Sequence, residues 1–342
     1  MNIERLKKLC ALNSVSGFEE KMKTFFISEN PQAKYLQDRL GSIFYVKKSS
    51  NPKAKRLLIA CAMDEIGLMV NSINNDGSLG FITLESISPA SLLHQKVEII
   101  KRNDEIVNGI IVAKKYKFKE IALDKINLED LVIDTGFTYE EALKNFKPGD
   151  LITFKHDFNH IGDCIVDKSL HQKALIEAII ELIEKLKHQT YDYEIVLGLI
   201  AQSIIGWRGS KTANYVVKPD IALILTGFEV NNSQPKININ DGIIIGNYDK
   251  QMLPNRLLLN DFKAHINTKD YLGMLGNDGS FIHKTLSGVP TISIGIPIAN
   301  MGSSIEMINT NNIDKLITGL IKYLNILDHQ KIINLGVSDD EF

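Results

Sequence analysis

Much of what would narrow a function quickly is missing from this chain. Its 342 residues hold three cysteines, Cys10, Cys61 and Cys164, with no C-x-x-C spacing. Unpaired in this way, they read as reduced thiols of a cytoplasmic protein rather than a disulfide frame or a zinc ribbon. Neither sign of charge dominates: 39 Lys and Arg stand against 41 Asp and Glu, a formal net charge of −2. That balance lacks the basic footprint of a nucleic-acid or anionic-membrane binder. No apolar run approaches the roughly 20 residues needed to cross a bilayer. The opening stretch Met1–Leu9 reads as an amphipathic helix and has no signal-peptide core. G-x-G-x-x-G, Walker and zinc-finger spacings are absent, so phosphate-cradling loops of the usual kinds are excluded.

Hydrophobic residues make up 44% and charged residues 23% of the chain, ordinary values for a globular protein. The length favours two unequal domains. Apolar residues at 3, 6, 9, 10 and 12 predict a helix from Ile3 to Leu12 with one buried stripe. Ser16, with Glu19 three residues on, predicts an N-cap and a second helix. Tyr35 to Val46 predicts a strand pair turning at Leu40-Gly41, and Arg56 to Ala60 a buried strand. Between Gly67 and Phe154 short strand-like runs, punctuated by Gly, Asn and Asp, predict a small β-rich domain at 67–160, broken by one helix at Tyr139–Asn145. It interrupts an α/β domain formed by 1–66 and 161–342. There, helices are expected at Leu170–Lys187, from about Ser210, and at Asn312–Leu327. Strands are expected at Tyr193–Ala201, Asp220–Thr226, Gly242–Gly246, Asp270–Leu275 and Thr291–Ile296. The alternation predicts an α/β fold with a mostly parallel mixed sheet flanked by helices.

Leu57 to Val70 is the most informative stretch: an apolar run ending in Asp64-Glu65 and then Gly67, as when a buried strand delivers side chains to the rim of an α/β sheet. It resembles the metal-binding strand of the glutamyl-aminopeptidase family of dinuclear metallo-aminopeptidases, some of whose members form tetrahedral particles or carry an endoglucanase label. Further fragments are similar in order and spacing: Ser14-Val15-Ser16-Gly17-Phe18-Glu19, Leu40-Gly41-Ser42, Leu131 to Gly136, Lys147-Pro148-Gly149-Asp150, Gly206-Trp207-Arg208-Gly209, Asp278-Gly279-Ser280 and Gly288-Val289-Pro290-Thr291. The resemblance implies a peptidase domain carrying a small β-barrel-like domain, two zinc or cobalt ions, and a homo-oligomer.

Hydrolysis by two metal ions needs nitrogen and carboxylate ligands, one bridging carboxylate and a carboxylate base, so that bound water ionises near pH 7. Carried over by resemblance, the five ligand positions fall on Ala62, His171 (the bridging position), Ile204, Thr226 and Gly302, and the base position on Ser203. All six depart from the family pattern, while the frames Met63-Asp64-Glu65, Gly206 to Gly209 and Ser303 to Glu306 persist. Imidazole cannot bridge two ions as a carboxylate does.

The resemblance with these departures implies a pseudo-peptidase with no catalytic residues, no metal and no expected cofactor. Its role would be binding or assembly, as a dimer or larger tetrahedral homo-oligomer or together with active relatives, with peptides as candidate ligands and neither nucleic acid nor membrane as a partner. The alternative is a divergent metallo-aminopeptidase with a metal site rebuilt from Asp64, Glu65, His171 and Asp278. Arg208 completes the set of residual cleft candidates. A Cys61–His171 pair can also be drawn, but a thiol in an apolar strand is usually inert.

Overall fold

A computed structural model of the chain describes residues 1–114, 126–230, 235–273 and 275–336. Its strands run in chain order β1 (Tyr35–Gln37), β2 (Ile43–Lys47), β3 (Arg56–Ala62), β4 (Leu68–Ile73), β5 (Leu79–Thr83), β6 (Lys96–Ile100), β7 (Ile106–Ala113), β8 (Leu131–Asp134) and β9 (Leu151–Phe154). They continue with β10 (Asn159–Ile161), β11 (Cys164–Asp167), β12 (Glu194–Ile200), β13 (Ile221–Glu229), β14 (Ile244–Tyr248), β15 (Lys269–Leu272), β16 (Thr291–Ile298) and β17 (Glu306–Asn309). One eight-stranded sheet has the order β1-β2-β12-β3-β13-β16-β14-β15. Its centre, β12-β3-β13-β16, is parallel, while β2 and β14 join it antiparallel.

The central strands are continuous apolar runs because both faces are covered. Along β3, Leu57, Ile59 and Cys61 join one core, and Leu58 and Ala60 join the other. The helices Leu170–Leu186 and Thr310–Leu324 pack on the first face, and Arg208–Val217 on the second. Strands β4 to β9 close an antiparallel barrel, order β4-β5-β8-β7-β6-β9, around a separate core. A three-stranded sheet, β10-β11-β17, completes the fold.

The expected helix Tyr139–Asn145 is found with those bounds. Thr138 and Glu141 cap it reciprocally, a local pattern that fixes its start. Ser16 does not act as the N-cap predicted for it: the next helix starts at Glu20, with Glu19 at its cap. The Ser16 hydroxyl instead donates to Asp64 at 2.5 Å. The closing helix is Thr310–Leu324, and a further helix, His329–Leu335, follows it.

The strands that carry the site approach closely. Gly295 of β16 pairs with Thr226 of β13, and a Cβ added at Gly295 would lie 1.7 Å from the Thr226 carbonyl oxygen. Gly295→Ala therefore forces the two strands apart. The expected cost is about 1–3 kcal/mol by urea unfolding, and a variant as stable as the wild type would contradict this packing.

Candidate functional site

The carboxyl end of the parallel strands opens onto a cleft of about 730 Å³. Such a rim is where α/β sheets place their ligand sites. Ala62 at the end of β3, His171 at the start of the long helix, Ser203 and Ile204 after β12, Thr226 on β13 and Gly302 after β16 all line it. Positions scattered along most of the chain thus converge, because successive strands of the parallel sheet end on the same side. Asp278 also reaches the cleft lining, and Trp207, stacked against Phe281 at 5.7 Å between ring centroids, forms one wall. Trp207 and Asn300 hold left-handed backbone, at φ 53° and 57°, conformations uncommon for residues with a side chain.

The acids at the floor are engaged by the chain's own donors. Asp64 is fully buried; its Oδ1 accepts the Ser203 N–H at 2.9 Å, and its Oδ2 accepts the Ile204 N–H at 2.9 Å together with the Ser16 hydroxyl. Burial lifts its carboxyl to about 7 despite those hydrogen bonds, with Glu19 and Asp278 adding repulsion. Asp278 accepts the Ser203 hydroxyl at 2.8 and 2.9 Å and the Ser210 hydroxyl at 2.5 Å. Burial raises it to about 6. Ser203 thus spans the two acids, its amide on Asp64 and its hydroxyl on Asp278.

His171 is clamped to Glu306. The ring Nδ1 lies 2.7 and 2.9 Å from the two carboxylate oxygens, and the His171 backbone N–H donates to Oε2 at 2.9 Å. The Gly302 N–H donates to Oε1 at 3.0 Å. A carboxylate here sits on the positive end of a 17-residue helix, a favourable place for negative charge. Burial alone would lower the His171 pKa, but Glu306, Glu85 and Asp64 together raise it. Glu85 is reachable by solvent at the cleft mouth, and the desolvation that the surrounding protein imposes raises its carboxyl.

Glu65 and Arg208, expected at the cleft, do not line it. Glu65 turns to the opposite side of the β3 end, where its Oε1 accepts Lys168 Nζ, Thr153 Oγ1 and the Ser14 N–H, each at 3.0 Å. Lys173 Nζ lies 3.3 Å from Oε2. The lysines hold the Glu65 carboxyl down at about 2 against its burial. Arg208 is exposed in the first turn of its helix, whose buried side is supplied by Gly209, Ser210 and Ala213. Asp64, Glu65, His171 and Asp278 are therefore not gathered into one ligand set. Among the described residues no group of three or more His, Cys, Asp or Glu side chains is placed to hold a metal ion. Cys61 is fully buried, its thiol pushed well up by desolvation, which leaves no reactive thiolate to pair with His171.

Sequence reasoning did not find Gln172 or Glu85. Gln172 is 1% exposed, lines the cleft, and has no hydrogen-bond partner among the described residues for either side-chain amide atom. The signal was slight: one amide residue in the first turn of an otherwise apolar helix.

A family model described as M42 glutamyl aminopeptidase matches residues 41–318. A candidate aminopeptidase of Acetivibrio thermocellus is 30% identical over 330 residues, covering 93% of this chain and 96% of that protein. The TET aminopeptidase structure from a marine sediment archaeon of the Thaumarchaeota superposes with a TM-score of 0.89 at 26% identity, over 97% of this chain and 98% of that one. The Pyrococcus horikoshii TET1 peptidase, described as able to assemble into a tetrahedron or a large octahedral shell, superposes with a TM-score of 0.84 at 25% identity, over 94% of this chain and 98% of that one.

Proposed function

The chain belongs to the M42 glutamyl aminopeptidase family, and we propose that within it this protein is a pseudo-peptidase, keeping the fold and the cleft while its hydrolytic metal site has been replaced. The observation that carries this reading is the convergence of Ala62, His171, Ser203, Ile204, Thr226 and Gly302 on one cleft. Ala62, Ile204 and Gly302 bring no side-chain donor there. The Ser203 hydroxyl is engaged with Asp278, and the Thr226 hydroxyl is a neutral, weak donor. His171 has Nδ1 committed to Glu306, which leaves Nε2 as its one free donor. Two divalent ions need several nitrogen and carboxylate ligands each, so this set does not fit them, and no hydrolytic step through a metal is derived for this chain.

The side chains now at the floor also change what the cleft contacts. Ile204 packs against the barrel core, so the position extends an apolar surface. The role we assign is binding or assembly. By likeness to TET1 we infer a homo-oligomer, closed or shell-like, with active relatives as alternative partners. Three free cysteines, Cys10, Cys61 and Cys164, support a cytoplasmic compartment. No described helix is long and apolar enough to cross a membrane.

Two measurements on tag-free protein dialysed against zinc and cobalt test the reading. Mass spectrometry should find near-zero metal per chain. Hydrolysis of unblocked peptides and of aminoacyl p-nitroanilides should stay at the buffer level with or without chelator. Loss of general acid–base help alone lowers rates about 10²–10⁴-fold, and here the metal-made nucleophile is absent as well. One or two ions per chain together with chelator-sensitive hydrolysis would establish a divergent metallo-aminopeptidase instead.

A further inference from the structure

A second cavity, a groove of about 420 Å³, opens between the barrel rim, the strands β10 and β11 and the turn before β17, and it shares no lining residue with the cleft. Lys96 and Lys155 line it. They stand opposite each other at the end of the β6–β9 pair, one step beyond Val97 and Phe154, where the Lys155 N–H donates to the Lys96 carbonyl at 2.9 Å. Like charges directly opposite across a strand pair are destabilising. Among the described residues neither lysine has an ion-pair partner; the Lys155 ammonium reaches only Asn108 Oδ1, at 3.4 Å.

Two polar groups of the same lining have unspent capacity. His156 sets Nδ1 2.6 Å from Asp167 Oδ2, while the Asp157 and Lys168 N–H groups donate to Oδ1 at 3.0 and 2.8 Å. A carboxylate only accepts, so Nδ1 carries the ring proton there. Nε2 is left for a ligand, able to accept or, on the charged ring, to donate. Ser304 is 5% exposed, and its hydroxyl, not sealed from solvent, has no hydrogen-bond partner among the described residues. The charge balance favours an anion. Asp167 is matched by His156 and two amides, and Lys168 by Glu65. The remaining lysines and acids of the lining are Lys96, Lys155 and exposed Asp157. Glu98, the next acid along that face of β6, accepts from Asn13 at 3.1 Å.

The donor types narrow the anion. No arginine lines the groove among the described residues, so the planar fork that pairs a carboxylate bidentately is absent. Ammonium and hydroxyl groups suit the tetrahedral oxygens of a phosphoryl group. Phe154, Val166 and Ile305, the last 47% exposed, add an apolar side. A divalent cation would meet two ammonium groups and, among the described residues, no set of three ligands. We propose that this groove is a binding site for a phosphate monoester, the phosphoryl group held by Lys96, Lys155, His156 and the Ser304 hydroxyl, and the organic group resting on Ile305. The inference stands apart from the pseudo-peptidase reading, since it holds whether or not the cleft is catalytic.

Calorimetric titration of the full-length protein with phenyl phosphate at low salt tests this, with inorganic phosphate and phenylacetate as comparison ligands. One saturable site for phenyl phosphate is expected. Inorganic phosphate, which lacks the apolar part, and phenylacetate, which lacks the phosphoryl group, should both bind more weakly. Lys96→Met and Lys155→Met should each weaken phenyl phosphate binding about three- to tenfold, less than the full worth of a charged hydrogen bond because both side chains are exposed. The double variant should remove saturable binding and melt no lower than the wild type, because it relieves the facing like charges. Ser304→Ala keeps every charge and should still weaken binding about two- to fivefold, the worth of one neutral hydrogen bond; it separates a built site from ammonium attraction alone. No saturable binding, phenylacetate held as tightly as phenyl phosphate, or an affinity that either the double variant or Ser304→Ala leaves unchanged would overturn the proposal.

Discussion

Glu65→Ala is expected to cost about 3–5 kcal/mol of folding stability, the usual penalty for removing one partner of a fully buried ion pair. Glu65, Lys168 and Lys173 are all buried to within 2%. The Glu65 carboxylate is the anionic partner of both ammonium groups. Lys168 Nζ also donates to Asn13 Oδ1 at 2.7 Å and Thr153 Oγ1 at 2.9 Å, and Lys173 Nζ to Ser14 Oγ at 2.6 Å and the Leu12 carbonyl at 3.2 Å. The cluster therefore ties together the loop after the first helix, the end of β3, the barrel strand β9 and the start of the long helix. Without Glu65 two ammonium groups remain in a site that water cannot reach, and Lys173 is already pushed toward its neutral form by desolvation. Urea unfolding at constant m-value gives the number. Replacing Glu65, Lys168 and Lys173 together by methionine removes the stranded charge and should recover most of the loss. If Glu65→Ala unfolds within about 1 kcal/mol of the wild type, the cluster does not hold the fold in the way described.

Stability is expected to peak on the acid side of neutrality, around pH 4 to 5, and to fall by a few kcal/mol toward pH 7.5, since a tenfold change in a proton-binding constant is worth about 1.4 kcal/mol. Asp64 and Asp278 have ordinary values of 3.8 and stand at about 7 and about 6 when folded. Between those limits the unfolded chain has released protons that the folded chain still holds, so raising the pH through that window favours unfolding. His171 acts in the same direction. Its folded pKa lies above 6.5, so the stability it contributes is complete below 6.5 and is lost as the pH rises through the folded value. Glu65 acts in the opposite direction and in another window: lowered from 4.5 to about 2, its contribution is complete above 4.5 and is lost on acidification below it. Urea unfolding at about pH 4.5 and about pH 7.5 measures the difference. Asp278→Asn should shrink it, because the hydroxyls of Ser203 and Ser210 can rotate to meet an amide. A stability that rises steadily across that range would show that the floor acids are ionised and compensated.

Much of the architecture was legible because it is written in local periodicity. The uninterrupted apolar runs at Leu57 to Cys61 and Ile221 to Leu225 read as strands covered on both faces, and they form the middle of the parallel sheet. Thr138 and Glu141 carry the start of their helix between them, three residues apart. Ser16 and Glu19 present the same local signal and yield a different result, because the Ser16 hydroxyl has a buried carboxylate, Asp64, within reach. The signal was real; a partner 48 residues away outcompeted it.

The sequence by itself determined the fold class, most strands and helices in their order, and six of the residues that line the cleft, Ala62, His171, Ser203, Ile204, Thr226 and Gly302, since these follow from side-chain period and from motif frames that persist in order. The tertiary structure alone decided which polar groups meet. Glu65 stands next to Asp64 in the chain, yet one faces two lysines more than 100 residues on and the other caps the loop after β12. His171 finds its carboxylate 135 residues away, and Gln172 next to it finds none among the described residues. Periodicity records which way a side chain points along its own element. Whether a buried charge is compensated depends on distances between elements, and those exist only once the sheet, barrel and helices have packed.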